Sequence, residues 1–92
     1  MKVLGVKMEF AKHVQIREEK FGVVIFDTLK EKVFVTNKQG AEILQLVKDS
    51  KSQEEIFKAL IDGYSGNRET IIGDATSFIN HLIENNLLTK DK

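Results

Sequence analysis

The apolar residues of this chain repeat first with the period of a β-strand and then, from about residue 36 onward, with that of an α-helix. Two runs rich in β-branched and aromatic residues, at positions 23–26 and 33–36, predict a hairpin. Alternation over residues 13–17 predicts a strand before it. Three amphipathic segments follow, so this order of strands and then helices predicts an α+β domain.

Both faces of the predicted hairpin are apolar, whereas a sheet with one face in water alternates apolar with polar residues. Successive side chains of a strand point to opposite faces of the sheet. In the first strand, Val23 and Ile25 lie on one face, and Val24 and Phe26 lie on the other. In the second strand, Phe34 lies on one face, and Val33 and Val35 lie on the other. We expect helices to cover one face. The other face, or the edge of the sheet, is left either for the N-terminal segment or for a ligand.

The segments on either side of the first strands are less regular. Residues 1–12 form either an edge strand or a loosely held arm, because their apolar residues alternate only in part. Residues 27–32 form the hairpin turn, in which Asp27 suits the first position. Lys30 and Lys32 flank the tip of this turn. Their charges are either simply solvated or favourable to an acidic peptide that lies alongside.

The first two helices have recognisable start signals. Asn37, or the threonine before it, caps the first helix, which ends near residues 48–50. A capping box at residues 52–55 begins the second helix, and Gly63 is suited to end it. Two short helices followed by a longer one can form a helix-turn-helix with the sheet as its wing.

The third helix is predicted over residues 68–86, with Asn67 available as its cap. At about 100° per residue, its apolar residues fall into two lines roughly a quarter-turn apart. The lines are Ile71, Ala75, Phe78 and Leu82, and Ile72, Ile79 and Ile83. One line is expected in the core, and the other lies in the core as well or faces a groove. Residues 87–88 are expected to fold back on the core before a charged tail at 89–92.

Composition excludes several classes of function. The chain has 14 basic and 14 acidic residues, and a neutral protein is poorly suited to general nucleic-acid binding. It has no Cys, and its two His residues have no partner at ligand spacing, so no metal site is expected. No catalytic motif and no membrane-spanning run is present in the sequence. We therefore expect a cytoplasmic, non-catalytic protein with no cofactor, metal or membrane partner and no general affinity for nucleic acid.

The residues alone leave three functions open. An exposed strand at residues 32–36 would bind a peptide by strand addition, with one apolar line of the third helix as the opposite wall. The helix order also fits a winged-helix DNA-binding regulator, although Glu69, Asp74 and Glu84 make the third helix a poor reader of bases. An edge that pairs with itself would instead give a homodimer.

Three segments together resemble the PqqD-like family, also called the RiPP recognition element, over about residues 13–88; RiPPs are ribosomally made and post-translationally modified peptides. The segments are VIFDTLKEKVFVTNKQGAEILQLV, SQEEIFKALIDGY and IIGDATSFINHLIENNLL. The resemblance rests on the order and spacing of particular residues within these segments. They are Asn37 and residues 41–44, then residues 55–56, Leu60 and Tyr64, then Asp74, Phe78, Ile79 and Leu82. Residues 48–52 replace the family's usual Gly-containing turn.

The resemblance implies a winged helix-turn-helix of three antiparallel strands followed by three helices, at residues 13–88. It implies a protein that binds the leader of a precursor peptide, which adds antiparallel to strand 32–36 and rests against the third helix. The protein would act as an adaptor that delivers the precursor to a modifying enzyme or a leader peptidase, in a lasso-peptide or radical-SAM pathway. We expect a monomer or a weak homodimer.

The expected peptide-binding residues follow from this resemblance. The backbone of Val33 and Val35 would bond to the leader, and Phe34 with the first apolar line of the third helix would form the cleft. The lysines of the turn and Arg68 would attract acidic leader residues. The full set is Lys30, Lys32, Val33, Phe34, Val35, Thr36, Arg68, Ile71, Asp74, Ala75, Phe78 and Leu82.

Overall fold

The structure, a computed structural model, describes residues 7–90 and has an α+β architecture. Its elements follow the predicted order of strands and then helices, with one short strand added at each end. They are β1 (Met8–Phe10), β2 (Val14–Glu19), β3 (Gly22–Asp27), β4 (Lys32–Thr36), α1 (Lys38–Lys48), α2 (Gln53–Gly63), α3 (Arg68–Glu84) and β5 (Leu88–Lys90). The prediction of three antiparallel strands and three helices is confirmed.

The main sheet is antiparallel, with the strand order β2-β3-β4. Its central strand, β3, is buried at five of its six positions. The side chains of Val23 and Ile25 face the helices and are 3% and 1% exposed. The core lies between this face and the three helices, and its largest fully buried members include Ile43, Ile56, Leu60 and Ile79.

A second, two-stranded sheet joins the two ends of the described chain. Met8–Phe10 pairs antiparallel with Leu88–Lys90, so the edge-strand alternative holds for this part of residues 1–12. The expected charged tail is corrected, because Thr89 and Lys90 belong to β5. Leu87 and Leu88 return to the core as predicted and bring the chain alongside β1. Residues 1–6 and 91–92, included in the predicted arm and tail, lie outside the described residues.

Local hydrogen bonds begin each helix where the sequence predicts. Asn37 accepts from the Gly40 amide at 2.9 Å and caps α1. Ser52 and Glu55 form the reciprocal capping box of α2, and Asn67 caps α3. Within residues 7–90, none of these helices combines the length and the apolar character needed to span a membrane.

Candidate functional site

One hydrogen-bonding edge of β4 is left open by the strands that the structure describes. The amide of Thr28, just after β3, donates to the carbonyl of His13 on the β2 side at 3.1 Å. Since successive residues of a strand bond to opposite sides, Asp27 and alternate residues before it bond toward β4, where Lys32 is opposite Asp27. The backbone groups that point away from β3 are therefore those of Val33 and Val35.

The side chains of Val33 and Val35 are exposed on the face of the sheet away from the helices, by 57% and 63%. Val24, on the same face, is buried. The guanidinium of Arg17 lies over the ring of Phe26, 5.5 Å from the centroid of that ring. Among the described N-terminal residues, strand β1 packs beside α1 on the helix-covered face of the sheet. It therefore does not cover the face that carries Val33 and Val35. A strand added to β4 would therefore extend an apolar surface.

Helix α3 runs past β4 in the opposite direction and forms the second wall of a cleft. The ring of His81 meets Phe34 edge to face, with the centroids 6.3 Å apart. About one turn earlier in α3, the ring of Phe78 lies near the end of β4, beside Gly40. Asp74 lies one turn earlier again. The spacing of Asp74, Phe78 and His81 is that of one helix face.

A small cavity of about 230 Å³ lies at the end of this cleft, where β4 leads into α1. Its walls combine amides, a carboxylate and apolar groups, from Asn37, Gln39, Gly40, Ile43, Asp74, Ala75 and Phe78. Glycine is needed at position 40, because a Cβ there would lie 2.8 Å from the Thr36 Cβ and 3.1 Å from the Phe78 ring. The absence of a side chain at position 40 therefore allows the Phe78 ring to lie close to α1.

Two apolar residues predicted to line the cleft, Ile71 and Leu82, lie in the core instead, and Ala75 is almost fully buried at the wall of the cavity. Ile71, Ala75 and Leu82 are only 8%, 1% and 2% exposed, and Ile79 from the other predicted line is buried with them. Of the two alternatives for the second line, burial in the core is therefore the one observed for Ile79, and the expectation that the whole first line forms the wall of the cleft is corrected. Helix α3 packs against α1, α2 and β5, so its buried face is wider than either line. Of the predicted cleft line, Phe78 is the half-buried member.

Two polar residues that were predicted to bind the peptide, Thr36 and Arg68, have other positions in the structure. The side chain of Thr36 is buried, and its hydroxyl donates to the Asn37 carbonyl at 3.2 Å. Arg68 lines a separate groove between α2 and α3 with Phe57 and Ile72. At about 100° per residue it lies about 120° around α3 from Asp74. Arg68 is therefore poorly placed to attract a peptide that lies along β4.

Several residues of the cleft were not predicted. His81 is on the same helix face as Asp74 and Phe78, and the i, i+4, i+7 spacing was the sequence signal that could have found it. Asn37 and Gln39 were assigned only to the start of α1, but they also line the cavity. Their second role follows from the approach of α3 to α1, which no local pattern records.

The hairpin turn at the other end of the cleft is built around Asp27. Its Oδ1 atom accepts from the amides of Leu29 and Lys30 at 3.0 and 3.1 Å, and lies 3.5 Å from His13 Nε2. The hydrogen bond from the Lys30 amide is the main cause that holds the pKa of Asp27 below its usual range. Burial acts in the opposite direction, while the Leu29 amide and the nearby charge of His13 lower it further. This carboxylate fixes the turn that presents Lys30 and Lys32.

We expect the Asp27 carboxylate to make the domain sensitive to acid. Because its pKa is lower in the folded chain than the unfolded value of about 3.9, its ionisation stabilises the fold above that pH. This stabilisation is lost as the pH falls through the folded pKa. Urea denaturation at several pH values between about 3 and 7 should therefore show a steeper loss of stability for the wild type than for Asp27→Asn.

The asparagine is a close match, because its side-chain oxygen can still accept from the two turn amides. The pKa of Glu55 is also lowered, chiefly by the Ser52 amide, so a residual acid dependence is expected in the variant. Parallel curves for the two proteins would show that Asp27 is not a source of the acid sensitivity.

Comparison with known proteins adds to this geometry. The model of the family described as "Coenzyme PQQ synthesis protein D (PqqD)" matches residues 22–88, whereas no curated protein matches the chain. The solved structure "Lasso peptide synthetase B1 complexed with the leader peptide" superposes with a TM-score of 0.81 at 19% identity, over 90% of this chain and 98% of that one. "TbiB1 in Complex with the TbiA(beta) Leader Peptide" also has a TM-score of 0.81, at 26% identity over 87% and 93%. The fold is therefore shared over almost the whole of each chain.

Proposed function

Because the chain belongs to the PqqD family, we propose that it is a RiPP recognition element, a non-catalytic adaptor that binds the leader of a precursor peptide. The observation that carries this proposal is the open edge of β4 facing α3. Two proteins of the same fold are described in complex with leader peptides, one of them 26% identical to this chain. In this proposal the bound precursor is then delivered to a modifying enzyme or a leader peptidase.

The leader joins the sheet as a fourth antiparallel strand. Its backbone bonds to the outward groups of Val33 and Val35, an arrangement in which main-chain hydrogen bonds supply affinity and neighbouring pockets supply specificity. Alternate leader side chains then point into the cleft, where Phe34, Phe78 and His81 provide aromatic surface. The exposed valines of β4 extend the contact on the other face.

We infer that the fold is a winged helix-turn-helix in which α2 and α3 form the helix pair and the sheet forms the wing. The exposed surface of α3 includes Glu69, Asp74 and Glu84, whose charges would be repelled by phosphate groups. Peptide binding at β4 therefore fits this surface better than DNA binding. The cytoplasm, where ribosomes make the precursor, is the proposed place of action, with a monomer as the binding unit.

Titration of a fluorescently labelled leader tests the proposal directly. The probe is the synthetic leader of the precursor peptide encoded beside this gene, and binding is followed by anisotropy. We expect saturable binding with one leader per chain. Absence of binding by protein whose circular dichroism shows a folded α+β domain would contradict the proposed function.

Phe78→Ala should weaken leader binding about tenfold, because the half-buried ring supplies apolar contact of about 1–2 kcal/mol in the cleft. Phe57→Ala is the matched control, since Phe57 is another half-buried ring on the core but lines the groove between α2 and α3. Both variants should lose some stability, so binding is measured at a temperature where both are folded. Equal losses of affinity would show that the cleft beside Phe78 is not the site.

A further inference from the structure

The two ends of the β4 cleft differ in charge. At the hairpin turn, Lys30 and Lys32 are exposed, with Glu31 between them. The carboxylate of Asp27 at this end is buried and accepts from the turn amides, so it is not presented to a ligand. The surface at the turn is therefore cationic.

The opposite end, where β4 leads into α1, presents a carboxylate. Asp74 is exposed, and its side chain has no hydrogen bond or ion pair with the other described residues. Asn37 and Gln39 line the same cavity of about 230 Å³. Lys38 is also exposed at the start of α1 but does not line this cavity. The carboxylate of Asp74 therefore favours a ligand group that donates hydrogen bonds and carries positive charge.

The size of the cavity suits one side chain. Pockets for small molecules usually have volumes of about 300–1,000 Å³, which is more than this cavity provides. A Lys or Arg side chain can lay its methylene groups along the ring of Phe78 while its charged end reaches Asp74. A carboxylate-bearing side chain would instead meet the like charge of Asp74.

Strand direction converts this charge difference into a sequence preference. A strand added antiparallel to β4 places its N-terminal end beside Asp74 and its C-terminal end beside Lys32. All pairings among the named strands are antiparallel, and parallel pairing is slightly less stable. Parallel addition would require the reverse order of charges.

We infer that the leader recognised here has a basic residue at the N-terminal end of its bound segment, apolar residues in the middle and acidic residues at the C-terminal end. This inference rests on the proposed function and goes further, because it specifies the chemistry and the direction of the peptide. Charge order then fixes both the register and the direction of the added strand.

Selection from a displayed library of random peptides of about a dozen residues tests the inference. Peptides are selected on the wild-type chain and compared with those retained by Val35→Pro, which blocks the β4 edge. We expect the wild type to enrich peptides with Lys or Arg before an apolar centre and Asp or Glu after it. The double variant Asp74→Lys with Lys32→Glu exchanges the charges of the two ends and should enrich the reverse order.

One selected peptide and an isomer with its charged residues exchanged are then titrated on both proteins. The wild type should bind the selected peptide about three- to tenfold more tightly than the isomer, as expected for exposed charge pairs, and the double variant should reverse this preference. No enrichment over Val35→Pro would count against the proposed function itself. Enrichment with no charge order, with acidic residues first, or with one order on both proteins would overturn the inference alone.

Discussion

Replacing Gly22 with alanine should lower the free energy of unfolding by about 3 kcal/mol or more, the largest effect on stability that we expect from one methyl group. Gly22 has a φ of +153°, a conformation that residues with a side chain rarely adopt. A Cβ at this position would also lie 2.0 Å from the Thr36 carbonyl oxygen and 2.8 Å from the Asn37 carbonyl carbon. The chain must therefore shift where β3 begins and β4 ends.

Urea denaturation at neutral pH measures this loss, with Gly73→Ala as the matched control. A Cβ at Gly73 would meet nothing within 4 Å, and the residue lies inside α3. Alanine is a better helix former than glycine, so the control should gain about 1 kcal/mol. A Gly22→Ala protein as stable as the wild type would show that the backbone at this junction is not fixed as described.

The consequence of Gly22→Ala should extend to the cleft, because the crowded atoms belong to the junction between β4 and α1. This junction also positions Asn37 and Gly40, which line the cavity beside Asp74. A stability defect and a binding defect would thus arise together in this variant. Affinity changes are interpretable only in variants that alter the edge and leave this junction intact.

Val35→Pro alters the edge in this way, and we expect it to weaken leader binding by about 2 kcal/mol or more, roughly thirtyfold. Proline has no N–H, so β4 loses one backbone donor toward the leader. The leader carbonyl that would accept from this donor is then left without a partner. The fold should be retained, because the Val35 amide points away from β3 and proline is tolerated at the outer edge of a sheet. Anisotropy titration of the labelled leader measures the change.

Glu18→Pro is the matched control on the opposite edge of the sheet. The backbone hydrogen bond between Thr28 and His13 shows which alternate residues of β2 bond to β3. By this alternation, the amide of Glu18 also points away from β3. Both substitutions remove an outward amide from an exposed residue of an edge strand. Leader affinity should be unchanged in Glu18→Pro, and normal binding by a folded Val35→Pro protein would rule out strand addition at β4.

Much of the fold could be predicted because its causes are local. The β-branched runs of the hairpin, the Asp27 turn and the caps at Asn37, Ser52 and Asn67 each act over a few residues, and all are present in the structure. The family match at residues 22–88 confirms the resemblance drawn from the spacing of such features. The outward backbone of Val33 and Val35 was expected only from the family resemblance, because alternation shows which residues share an edge of a strand and the register of the hairpin decides which edge is the outer one.

The sequence by itself therefore determined the three strands β2, β3 and β4, the three helices and their order. Tertiary structure decided which side of α3 faces β4: it buried Ile71 and Leu82, turned Arg68 toward α2 and placed His81 against Phe34. It also paired β1 with β5, which are far apart in sequence. The physical reason is that periodicity identifies an apolar surface on a helix, whereas contacts with several other elements decide how far that surface is covered.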